Sequence, residues 1–121
     1  MSRVAISYED CRHFQLTTKG LTKKLINIMR GRDIDEQFID DMRIWLNNLT
    51  HLVTIVDREL QSSVINDVSL IRCIFAKLAI FGDFGEFSSH LLNIVMLIQE
   101  NDIKECRKEL RYLINVLEFY Y

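Results

Sequence analysis

The chain holds 121 residues, 49% hydrophobic, 10% aromatic and 26% charged, a globular composition of one-domain size that predicts a single domain over residues 1–121. Its formal net charge is -2, with lysines and arginines interleaved among acids instead of collected in one block, so a nucleic-acid partner, which requires a basic stripe, is not expected. Proline is absent and glycine occurs only at Gly20, Gly31, Gly82 and Gly85, so a β-rich chain would have few places to turn and an all-α fold is expected.

From the amino terminus, "YEDCRHFQLTTKG" reads as a helix ending near Gly20, with Cys11, Phe14 and Leu16 turned inward. The next segment, "LTKKLINIMRG", places Leu21, Leu25, Ile28 and Met29 at helical spacing before Gly31 closes it. Asp33-Ile34-Asp35-Glu36 carries the acidic form of a capping box and announces a helix start. Beyond it Phe38, Met42, Trp45, Leu49, Leu52, Val56 and Leu60 recur every three or four residues. That stripe fits one coiled-coil seam, or two consecutive helices with a bend near Asn47 and Asn48, both poor helix formers.

Asn66 or Asp67 can cap the following stretch, whose centre is apolar around most of its circumference. Between 68 and 81 the charged positions are Arg72 and Lys77, about 140° apart at 100° per residue. A helix of that kind belongs at the centre of a bundle. The small residues Ala76 and Ala79 share a face with Val68 and Arg72, while Ile71, Phe75 and Leu78 form the bulkier side. "FGDFGEF" then turns the chain at Gly82 and Gly85, and Ser88 or Ser89 can cap a helix carrying Leu91, Leu92, Val95, Met96 and Ile98. Asp102-Ile103-Lys104-Glu105 repeats the earlier cap. The last helix sets Ile103, Cys106, Leu110, Leu113, Ile114 and Leu117 against Arg107, Lys108, Glu109 and Arg111.

Chemistry-bearing patterns are sparse. His13, His51 and His90 are scattered, Cys11 and His13 lie two apart and so on different sides of a helix, and no phosphate loop or metal spacing is present. Neither an enzyme nor a cofactor or metal site is expected. Cys11, Cys73 and Cys106 form an odd set, and "MSRVAISYEDC" does not resemble a secretory signal. The expectation is a reducing, cytoplasmic setting in which Asn48-Leu49-Thr50 is a chance glycosylation triplet. Cys73 and Cys106 are expected to be small buried hydrophobes, and Cys11 to be the candidate for an intermolecular disulfide or a reactive thiol. Runs such as "LLNIVMLI" are far shorter than the ~20 residues that cross a bilayer, so no membrane span is expected.

The stretch "LVTIVDRELQSSVINDVSLIRCIFAKLAIFGDF", residues 52 to 84, resembles the region around the first homology motif of Bcl-2 family proteins. Glu59-Leu60 match the end of the preceding helix, Asn66-Asp67 the acidic turn, and Ser69-Leu70-Ile71-Arg72 the motif itself. Upstream, "LINIMRGRDIDEQF" is similar to the family's third homology motif, with Ile28 or Met29 as its leucine and Asp33 as its aspartate, and "FQLTTKGL" to the end of its first helix. The resemblance implies a Bcl-2-like bundle of six to seven helices around a central hydrophobic helix at about 67–82. It also implies an inhibitor of apoptosis that holds the amphipathic BH3 helix of a pro-apoptotic partner in an apolar groove.

By that resemblance Arg72 stands at the groove edge and pairs with the partner helix's aspartate through a charge-assisted bond. Phe38, Ile39 and Met42 line one wall, Val53, Val56 and Leu60 the other, and Ser69, Ala76 and Ala79 lie beside Arg72. The chain departs from the family pattern where Leu70 and Ile71 replace its tryptophan and glycine, and no tryptophan-containing second motif or carboxy-terminal anchor follows. Recruitment to mitochondria is therefore expected only through a bound partner. Shortened forms of this kind resemble the Bcl-2 homologues of large DNA viruses. Some of those capture death-promoting helices, while others close the groove and block innate immune signalling through surface contacts. Both readings stand, as do self-association into a homodimer and an internal salt bridge from Arg72 to Asp67 or Asp83.

Overall fold

A computed structural model describes residues 3–31, 33–55, 58–78 and 85–118, and side chains throughout these except 3–7, 55 and 85. The described residues are all-helical, in five elements: α1 (Arg3–Met29), α2 (Glu36–Ile55), α3 (Arg58–Leu78), α4 (Gly85–Gln99) and α5 (Ile103–Glu118). Among the described residues the count is five, not the expected six to seven, because two anticipated breaks are absent.

The first absent break is at Gly20. Cys11, Phe14, Thr18, Leu21 and Leu25 are all buried, and their three-four spacing forms one unbroken stripe through the glycine. Gly20 itself is exposed on the far side of the helix. Leu16, expected inside, points out. The buried member of that turn is Thr18, whose hydroxyl donates to the Phe14 carbonyl at 2.8 Å and so does not lack a partner. Past its last residue Met29, α1 is closed by Gly31, whose φ of 103° is a left-handed conformation that glycine adopts without steric cost.

The second absent break is at Asn47 and Asn48. Leu46 and Leu49 are both fully buried, and their packing carries α2 straight across two residues of poor helix propensity. α2 starts two residues later than the anticipated box implies, with Asp35 and not Asp33 as its cap: the Phe38 N–H donates to Asp35 Oδ1 at 2.8 Å. Asp102 caps α5 as expected, accepting from the Glu105 N–H at 3.3 Å while its carbonyl accepts from the Cys106 N–H at 3.0 Å.

Between α4 and α5 the chain closes with a Schellman arrangement. Asn101 sits at φ 59°, its N–H donates to the Ile98 carbonyl at 3.0 Å, and the Asp102 N–H reaches the Leu97 carbonyl at 2.9 Å. Asparagine fills the place that glycine usually takes. Gly85, anticipated as a turn residue, is the first residue of α4, and Gly82 lies outside the described residues.

The helices pack as a ring in which α1 contacts α2 and α3, α2 contacts α5, and α4 contacts α3 and α5. The buried side chains form one cluster inside that ring. At one end Trp45 stacks on Phe14 with ring centroids 5.3 Å apart, and its Nε1–H donates to Thr18 Oγ1 at 2.8 Å. The indole is fully buried with its one donor satisfied, the condition under which a large amphipathic ring stabilises a core. At the other end Phe75 of α3 stacks on Phe87 of α4, centroids 5.4 Å apart.

α3 therefore contains the stretch expected as a central helix, up to Leu78, but is not central. Val64, Val68, Ile71, Ile74, Phe75 and Leu78 face the core, whereas Leu70, Cys73, Ala76 and Lys77 face solvent, Leu70 at 46% exposure. Apolar composition around the circumference overstated its burial, because alanine, cysteine and a lone leucine can be left in water at small cost.

Candidate functional site

The residues expected to form an apolar groove are divided by the fold. Phe38, Ile39, Met42 and Val53 are exposed by only 2%, 2%, 0% and 4%, and belong to the buried cluster between α2 and its neighbours. They are core, and a docking helix could reach them only by prising α2 from the bundle. Leu60 is half-buried against the core, and it joins Tyr8, Cys11, Arg12, Gln15 and Ser63 around an open cavity of about 310 Å³ between α1 and α3. Ser69 is half-buried and Ala76 exposed, while Val56 and Ala79 lie outside the described residues.

Arg72 is half-buried on α3, at the border between the helix's buried and exposed faces. Its Nε is shielded from solvent and has no hydrogen-bond partner among the described residues. The internal pairing with Asp67 is not made: five positions apart on one helix, the two side chains sit about 140° around the axis from one another. Asp83 lies outside the described residues.

Asp67 has its own setting. Its Oδ2 is buried and without a hydrogen-bond partner among the described residues, and burial pushes its carboxyl from the ordinary 3.8 to about 6, with Lys19 of α1 pulling the other way. The same acid and Asp10 lie near Cys11. Burial first, then these two carboxylates, raise the Cys11 thiol pKa. Cys11 is only 6% exposed, so the thiol expected to be reactive is shielded and poorly ionised. Cys73, expected inside, is the exposed thiol on the outer face of α3. Cys106 is buried as expected, its pKa pushed up to about 12 by burial and by Asp102 and Glu109.

The histidines are not brought together. His13 is exposed, His51 lies 3.6 Å from Asp10, and His90 Nδ1 lies 2.6 Å from Glu109 Oε2. His90 is part of a polar seam between α4 and α5 that sequence reasoning missed. Its ring meets Tyr112 with centroids 4.6 Å apart, and the Tyr112 hydroxyl donates to Glu86 at 2.8 Å. The signal was present as Glu86 and His90 four apart on one helix and Glu109 and Tyr112 three apart on the next. Among the described residues no group of histidines, cysteines and acids is placed to hold a metal ion, and no helix is long and apolar enough to cross a membrane.

Compared with known proteins, the chain matches no family model, no curated protein and no solved structure.

Proposed function

We propose that the chain is a helical interaction module of the groove-closed kind, which acts on partner proteins through its outer surface and, by its resemblance to viral Bcl-2 homologues, blocks innate immune signalling. The observation that carries this reading is the complete burial of Phe38, Ile39 and Met42, which leaves α2 without an apolar wall to offer a partner helix. Affinity in helix-in-groove binding comes from apolar anchors seated in such walls, and a charge at the edge cannot replace them.

One observation favours a second reading, in which the chain sequesters a pro-apoptotic BH3 helix and so inhibits apoptosis. Arg72 keeps a shielded guanidinium nitrogen that has no hydrogen-bond partner among the described residues, and a half-buried donor of that kind is stabilised by an incoming carboxylate. Titrating the protein calorimetrically with a peptide bearing the Leu-x-x-x-Gly-Asp pattern separates the two. The closed-surface reading predicts no binding up to about 100 μM peptide. Submicromolar binding that Arg72→Glu abolishes would establish capture instead.

A further inference from the structure

α5 turns two chemically opposite faces outward from its core stripe. Toward α4 it places Glu109 and Tyr112 in the polar seam with His90 and Glu86. Away from that seam Lys104, Arg107, Lys108 and Arg111 are all exposed, and with Ile103 they line a shallow depression of about 420 Å³. In a chain whose net charge is -2, this is a local excess of one sign.

The arrangement works against the helix that carries it. Lys104 and Lys108, and Arg107 and Arg111, are like-charge pairs four apart, while Lys104 with Arg107 and Lys108 with Arg111 are like-charge pairs three apart. Lys104 also stands in the first turn, where the helix dipole disfavours a cation. A solvated face that served only solubility would interleave acids at these spacings. Here Glu105 relieves Lys108 alone, at 3.1 Å, and Glu109 is withdrawn to His90. Among the described residues Lys104, Arg107 and Arg111 have no ion pair, so their mutual repulsion is left for a ligand to neutralise.

We propose that this face of α5 binds an acidic protein segment, with carboxylates meeting Arg107 and Arg111 and an adjoining apolar side chain resting on Ile103. The stripe from Lys104 to Arg111 is about 10 Å long, the reach of some three extended residues. A nucleic acid or an anionic membrane would bring extended negative charge against the rest of an acidic protein. A short peptide would not.

The probe is a fluorescein-labelled peptide of sequence Leu-Glu-Glu-Asp-Glu-Glu, followed by anisotropy at about 50 mM salt, where exposed charges are weakly screened. Binding to the intact chain should weaken at least about tenfold in the double variant Arg107→Glu/Arg111→Glu and fade as salt is raised. Lys23→Glu/Arg30→Glu makes the same change in net charge on the exposed end of α1 and should leave binding unchanged. Equal losses in the two double variants, no loss in either, or tighter binding of phosphatidylserine vesicles or single-stranded DNA than of the peptide would overturn the assignment.

Discussion

Asp67 and Cys11 show how single side chains are set by what packs over them. A carboxyl held at about 6 in the folded chain and near 3.8 when unfolded binds its proton more tightly in the native state. Its contribution therefore favours folding at low pH and is lost as pH rises from about 4 to about 6, after which the deficit is constant. Asp67→Asn removes the titration and keeps the shape. Thermal melts should show the variant more stable than the parent at pH 7, with the gap closing as pH falls from about 6 to about 4. A gap that stays the same across that range would place Asp67 in water. Its burial was not legible in the sequence, where Asn66-Asp67 reads as a turn and helix cap; the structure continues α3 through both residues from Arg58. The exchange of roles between Cys11 and Cys73 has the same cause. Residue type says that cysteine tolerates burial, and only the neighbouring helices decide which cysteine receives it.

At the scale of the element, cap signals divided: Asp102 caps α5, whereas Asn66, Asp67, Ser88 and Ser89, each offered as a cap, lie inside α3 or α4. Asp102 was recognisable because a cap is a local event, one side-chain oxygen and one N–H three residues on. The stripe of α5 was equally plain, with Cys106, Leu110, Leu113 and Leu117 all buried as their spacing requires. Helix ends inferred from propensity failed at Gly20 and at Asn47 and Asn48, where buried neighbours hold the helix together although Gly20 and Asn47 are exposed and Asn48 is half-buried. Gly20 makes this testable. It lies in a helix interior where, apart from its chain neighbours and the helix's own backbone, no described atom lies within 4 Å of where a Cβ would stand, and its φ is not positive. Gly20→Ala should stabilise the protein by about 0.5–1 kcal/mol, measured by urea denaturation, because alanine loses less backbone freedom on folding. A loss of stability would mean that α1 is broken there.

Across the whole molecule, the all-helical character followed from the missing prolines and the periodic stripes, whereas the way the helices close on one another did not. The greasy run around Arg72 suggested a rod at the centre. What the described residues build is a ring of five helices, each in contact with two others, with the core between them. This difference moves function outward. On the proposed reading, with Phe38, Ile39 and Met42 committed to the core, recognition falls to exposed features: the cationic face of α5 and the edge at Arg72, whose Nε has no hydrogen-bond partner among the described residues.

Met42 discriminates most sharply between a core stripe and a groove wall, because it is fully enclosed and lies at the middle of the disputed stripe. Truncating a buried methionine removes its packing and leaves a cavity, whereas truncating a side chain on an open wall removes little that the free protein uses. Urea unfolding of Met42→Ala should show a loss of about 2–5 kcal/mol in the absence of any partner. A loss below about 0.5 kcal/mol would mean that the side chain is not enclosed, and the α2 stripe would again be available as a groove.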